Sequence, residues 1–171
     1  YTLQGEGFYA GQAAYFIRLG GCDVGCVWCD VKESWDTQQH PQMHTGEIVQ
    51  AALNFPGRIA VITGGEPCMH NLAPLCDALH AAGFRVHIET SGAHPLSGTL
   101  DWITLSPKKF KAPLDECLAK ASELKVVVYH KSDLDWAEQH ALKVSAECRL
   151  YLQPEWSKRD AMTPLIIDYI H

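Results

Sequence analysis

Short apolar runs alternate along the chain with stretches in which apolar residues recur every three or four positions. Ala13 to Leu19 (AAYFIRL) is the first run and reads as a strand. Arg58 to Thr63, Arg85 to Glu89, Trp102 to Ser106, Leu124 to Tyr129 and Arg149 to Gln153 repeat it, each rich in β-branched or aromatic residues. Helical spacing fills the intervals. Thr45 is placed to N-cap a helix through Glu47, Ile48, Ala51, Ala52 and Leu53 that ends by Gly57. A second helix spans Leu72 to Ala82 and stops at Gly83. A third, capped by Ser132 or Asp133, runs through Trp136 and Ala141, and Met162 to Ile170 is amphipathic at the end. Six strands alternating with three or more helices predict one α/β domain with a mostly parallel sheet. Six are too few for a closed eight-stranded barrel, so the expected architecture is a partial, TIM-like barrel. Polar or glycine residues recur where the strands end: Arg18, Thr63 to Glu66, Glu89 to Ser91, Ser106 to Lys108, and Gln153. In parallel α/β folds those ends form the active-site face.

Composition narrows the class. The 171 residues suffice for one domain with a real core. No apolar run is long enough to span a membrane. The net charge is −6 with its acids dispersed, which argues against a nucleic-acid surface. Seven cysteines are an odd number, and three fall within eight residues. That crowding, with no leader-like segment before Tyr1, predicts a reduced, cytoplasmic protein rather than a disulfide framework.

The crowded cysteines are Cys22, Cys26 and Cys29, spaced C-x3-C-x2-C directly after the first strand. Three soft thiolates on one tight loop suit an iron–sulfur cluster or zinc. Zinc requires a fourth ligand, for which His40 and His44 are candidates, and zinc loops normally carry paired C-x2-C units, which this chain lacks. A cubane on three cysteines leaves one iron open to a small molecule. Cys68, Cys76, Cys117 and Cys148 are too dispersed to frame a second cluster, and most histidines read as packing or surface residues. Gly64-Gly65-Glu66-Pro67 follows the second strand; its glycines expose backbone to a ligand, and Glu66 is a potential acceptor for an ammonium. Taken alone, Leu3-Gln4-Gly5-Glu6-Gly7 reads as a glycine turn before a strand.

Together these pieces resemble a known family. The cysteine loop, with Trp28 before its third cysteine, is the signature of radical S-adenosylmethionine enzymes. The Leu3 to Gly7 segment, Arg18, Thr63 to Pro67, Glu89-Thr90-Ser91-Gly92, Ser106-Pro107-Lys108 and Gln153-Pro154 resemble the 7-carboxy-7-deazaguanine synthases, a likeness that runs almost end to end. The resemblance implies a [4Fe-4S] cluster on Cys22, Cys26 and Cys29. It implies S-adenosylmethionine touching Trp28, Cys29, Asp30, Gly64, Gly65 and Glu66. Further contacts fall at Glu89, Ser91, the Ser106-Pro107-Lys108 turn, and Gln153 with the residues after it. The substrate, 6-carboxy-5,6,7,8-tetrahydropterin, is then held by Leu3, Gln4, Gly5, Glu6, Arg18 and Thr63, with Arg18 suited to a bidentate carboxylate pair. The implied reaction is a radical ring contraction with loss of ammonia, on the route to queuosine and other 7-deazapurines. The implied partners are a reductant such as flavodoxin and a second copy of the chain.

The chain departs from the family pattern in two places. Val31 stands where the family usually has a threonine or serine that helps bind magnesium, so a magnesium site here rests on other ligands or is absent. The family's ends also extend past both termini, including a C-terminal tail with a histidine and a carboxylate. Two rival readings are a radical activase acting on a partner protein and a zinc-binding interaction module.

Overall fold

The computed structural model describes residues 1–171. Seven strands lie side by side in chain order: β1 (Thr2–Leu3), β2 (Ala13–Leu19), β3 (Ile59–Gly64), β4 (Arg85–Thr90), β5 (Trp102–Leu105), β6 (Glu123–Val128) and β7 (Arg149–Pro154). Strands β2 to β7 are parallel throughout, and the sheet curls into a half-barrel. Helices α1 (Thr45–Leu53), α2 (Ala73–Ala81), α3 (Asp115–Lys120), α4 (Ser132–Ala141) and α5 (Arg159–Ile170) are interspersed with them.

The six expected strands are all present, and the partial barrel is the observed architecture. Four details differ. A seventh strand, β1, pairs antiparallel with β2 through Thr2 with Ala14 and Leu3 with Ala13. Two residues are too few to carry a period, so only the returning chain makes this strand. Helix α3 is one short turn and a half, below the length at which periodicity is readable. The N-cap of α1 is His44 rather than Thr45: His44 is extended, and the Glu47 carboxylate accepts its N–H at 2.8 Å. Likewise α4 is capped at Lys131, with Ser132 and Asp133 already in its first turn.

Alternation along each strand divides the sheet into two unlike faces. Outward, Ile17, Ala60, Ile62, Val86, Ile88 and Ile103 meet Val49, Ala52, Leu72, Leu75 and Leu79 of the α1 and α2 region in one core. Leu105, Leu124 and Val126 meet Leu118 and Ala137 in a second. Each fully buried aliphatic side chain here contributes roughly 1.5–3 kcal/mol. The inner face is different. Thr63, His87, Thr104, Glu123 and Lys125 are all buried there, whereas a parallel sheet covered on both sides would be apolar on both. Buried polar groups require partners, and they point to a lined site.

The N-terminal segment closes the base of the half-barrel. Phe8 stacks on Trp102 at 5.1 Å, and Tyr9 lies 4.5 Å from the His87 ring. The turn into this plug depends on Gly7, whose φ is +68° and whose Cα lies against the Glu123 carboxylate; a Cβ there would sit 2.0 Å from Glu123 Oε1. His87 is 4% exposed, and its Nε2 is the one buried side-chain nitrogen or oxygen without a partner. Burial, reinforced by Arg85, pushes its pKa down to about 4.

Candidate active site

The cysteine loop leaves the C-terminal end of β2 and is held from below. Gly21 N–H donates to Ser34 O at 2.7 Å, Glu66 N–H donates to Gly21 O at 2.8 Å, and Gly65 N–H donates to Leu19 O at 2.9 Å. The Gly64-Gly65 turn therefore lies directly on the loop. A Cβ at Gly65 would fall 2.2 Å from Gly21 O, and one at Gly64 2.1 Å from Leu19 O. No other residue type fits either position. Asp23 ties the loop's outer side down, bonding Lys111 Nζ at 2.6 Å and His94 Nε2 at 2.9 Å. Those bonds hold the Asp23 carboxyl below its ordinary range.

Cys22, Cys26 and Cys29 come together around a small apolar cluster of Val24, Trp28 and Ala93. All seven cysteines are free thiols. Burial pushes the Cys22 and Cys26 thiols up, and a coordinated metal overrides such a shift by deprotonating the thiol outright. No three Cys, His, Asp or Glu side chains converge on one point where a single ion could sit. The histidine candidates for a zinc ligand are engaged elsewhere: His40 Nε2 contacts Glu33 O at 2.8 Å, and His44 caps α1.

Above the loop lies an open cavity of about 470 Å³. Nearly all the site residues expected from sequence line it: the three cysteines with Trp28 and Asp30; Gln4, Gly5 and Glu6; Arg18 and Thr63; Gly64, Gly65 and Glu66; Glu89 and Ser91; Ser106 and Lys108; and Gln153. Two do not. Leu3 pairs in β1 and is 61% exposed, and Pro107 is buried between the two turn residues that do reach the cavity.

Two carboxylates expected to face the cofactor are occupied by the protein itself. Glu66, 1% exposed, accepts from Cys68 N–H, Thr90 Oγ, Ser91 N–H and Ser91 Oγ at 2.5–3.0 Å. It fastens β3 to the end of β4. Glu89 accepts from Gln4 Nε2 at 2.8 Å and from Thr63 Oγ1 at 3.2 Å. Arg18 spends one donor on Gly64 O at 3.4 Å and otherwise faces the cavity. Lys108 donates to Ser106 O and Oγ at 2.5 and 2.6 Å and lies 5.8 Å over the Trp28 ring. Burial pushes its pKa down to about 8.

Position 31 does not supply a magnesium ligand. The Val31 side chain has no oxygen, and its carbonyl already accepts from Ser34 N–H at 2.9 Å and Ser34 Oγ at 2.7 Å.

The sequence reading missed several residues that line the same cavity, among them Phe16, Trp35 and Lys125. Lys125 is the most informative. A single lysine inside Leu-Lys-Val-Val-Val, in inward register with Val127, was the available signal.

The model of the Radical SAM superfamily matches residues 16–127. A 7-carboxy-7-deazaguanine synthase from Flavobacterium psychrophilum is 53% identical over 99% of this chain and 80% of its own length. One from Synechocystis is 54% identical over 99% of this chain and 81% of its own. The crystal structure of QueE from Escherichia coli superposes with a TM-score of 0.83 at 34% identity, covering 99% of this chain and 86% of that one.

Proposed function

This chain belongs to the 7-carboxy-7-deazaguanine synthase family of the Radical SAM superfamily, and on that footing we propose how its residues contract a pterin ring. The reaction converts 6-carboxy-5,6,7,8-tetrahydropterin to 7-carboxy-7-deazaguanine and ammonia, in 7-deazapurine biosynthesis. When bound, the [4Fe-4S] cluster and S-adenosylmethionine supply the one-electron cleavage that generates an adenosyl radical for hydrogen abstraction at C6. The remaining work belongs to the protein: binding, orientation and exclusion of water.

Cys22, Cys26 and Cys29 hold the cluster. The backbone of Gly64 and Gly65 takes the methionine amino group, since Glu66 is consumed in fastening the turn. Ser91, the Ser106 and Lys108 turn, and Gln153 carry the rest of the cofactor, beside Trp28 and Asp30. Gln4, Gly5, Arg18 and Thr63 hold the pterin: amide and hydroxyl groups match its donor–acceptor edge, and Arg18 pairs with its carboxylate. Glu89 orients Gln4 and Thr63 from behind. Magnesium has no protein ligand at position 31 in this reading, and no step is assigned to it.

One observation carries the proposal. The cysteine loop and the Gln4-Gly5, Arg18 and Thr63 group line a single open cavity of about 470 Å³, within the ordinary size range of small-molecule sites. A protein-radical activase instead requires room for a partner's backbone, and it has no use for a pterin-reading edge. No helix is long and apolar enough to cross a membrane. The crowding of Cys22, Cys26 and Cys29 on one loop favours a reducing, cytoplasmic compartment, and the one-electron cleavage calls for a reductant, here a small redox protein. A homodimer completes the reading.

The test is anaerobic turnover of the reconstituted protein with S-adenosylmethionine, dithionite and the carboxytetrahydropterin. Mass spectrometry follows both 5′-deoxyadenosine and 7-carboxy-7-deazaguanine. Both accumulate if the assignment is right; deoxyadenosine alone overturns the substrate.

A further inference from the structure

Alternate residues of the N-terminal segment are each fastened to a different ionisable side chain on the inner face of the sheet. Gln4 Nε2 donates to Glu89 at 2.8 Å, the Glu6 carboxylate pairs with Lys125, and Phe8 N–H donates to Glu123 at 2.8 Å. The middle anchor differs from the other two. Glu6 uses one oxygen for Lys125 and the other for Gln153 Nε2, at 2.7 Å. Gln4 Oε1 in turn accepts Glu6 N–H at 3.2 Å. Glu6 thus joins the segment assigned to the pterin to the strand end assigned to S-adenosylmethionine.

Lys125 fixes that junction. It is 9% exposed, at the centre of β6, and its ammonium has Glu6 as its only anionic partner within ion-pair distance. A buried ammonium without a counter-charge is strongly unfavourable, so Lys125 holds the Glu6 carboxylate in one place. With Glu6 fixed, ordering the Gln4–Glu6 segment also orders the Gln153 amide, and the reverse holds.

We propose that Lys125 is a positioning residue that couples pterin binding to S-adenosylmethionine binding through the Glu6 carboxylate. The inference rests on the substrate and cofactor assignments above. Such coupling has a consequence for the chemistry: S-adenosylmethionine binds more tightly when the substrate is present, which limits wasteful radical generation. Linkage requires that the two ligands strengthen each other by the same factor.

The experiment is titration calorimetry on the anaerobic, cluster-loaded protein in its oxidised state, without reductant, so that nothing turns over. The S-adenosylmethionine Kd is measured with and without the carboxytetrahydropterin, and the pterin Kd with and without S-adenosylmethionine. In the parent protein each ligand tightens the other by roughly fivefold or more. In Lys125→Met that factor falls to about one, and Lys125→Arg, which keeps the charge, restores it. The double variant Glu6→Gln/Lys125→Met removes both charges and strands neither, so the test survives if Lys125→Met alone does not fold. Under reducing conditions the uncoupled variants release more deoxyadenosine per deazaguanine. A parent protein that makes deazaguanine without coupling, or a Lys125→Met variant that retains it, overturns the inference. A parent protein that cleaves S-adenosylmethionine but makes no deazaguanine overturns the substrate assignment instead.

Discussion

The side-chain amide of Gln4 donates to Glu89 Oε1 at 2.8 Å, joining residues 85 positions apart across the cavity. The second Glu89 oxygen takes the Thr63 hydroxyl at 3.2 Å. One carboxylate therefore aims two of the groups assigned to the pterin. Removing it frees both, and a hydrogen bond to a charged group is worth about 1.5–3 kcal/mol. Glu89→Ala is expected to raise the pterin KM by roughly tenfold to a hundredfold. Its S-adenosylmethionine Kd, read by calorimetry without pterin, changes much less. A larger loss of cofactor than of substrate affinity returns Glu89 to the cofactor.

Glu66 acts on stability as much as on the site. Four donors from Cys68, Thr90 and Ser91 converge on its buried carboxylate. Glu66→Ala leaves them unsatisfied at a cost of about 3 kcal/mol or more. For a chain of this size that lowers Tm on the order of 10 °C. Scanning calorimetry checks the fall, and iron content checks that the turn beneath the cysteine loop loosens with it.

Acid sensitivity follows from His87. Its folded pKa is pushed down to about 4, below the ordinary 6.5, so the native state excludes a proton that the unfolded chain takes up. The stability this contributes is complete above about pH 7 and is lost as pH falls from 6.5 toward 4. Arg85 strengthens the effect and Asp101 opposes it. Anaerobic urea midpoints at pH 5 and pH 7 measure the slope. His87→Leu is expected to flatten it; an unchanged slope assigns the acid limb to other groups.

Position 31 makes a metal prediction. Val31 offers no side-chain oxygen, and Ser34 occupies its carbonyl. Turnover in magnesium-free buffer should stay within about twofold of turnover with magnesium, since a hard cation binds through oxygen ligands that this position lacks. Val31→Thr should introduce a magnesium response. Strong dependence in the parent chain shows that water and substrate oxygens suffice to hold the ion.

The sequence by itself determined whatever depends on neighbours along the chain. Apolar runs of strand length placed Ala13–Leu19 and five more strands, and the spacing of Cys22, Cys26 and Cys29 defined the loop chemistry. Gly64-Gly65 was legible because a turn pressed on another backbone admits no side chain. Only the tertiary structure decided which polar and charged groups meet. Glu6 with Lys125, Phe8 with Glu123, and Asp23 with Lys111 lie 119, 115 and 88 residues apart. Glu66 and Glu89 were recognised as site residues, yet their partners set their roles. The physical reason is that periodicity reports which face a side chain takes, while pairing across a curled sheet depends on how far each strand is displaced around the barrel. Local pattern carries no record of that displacement, so an acid on the inner face reads alike whether it awaits a ligand or holds its neighbours.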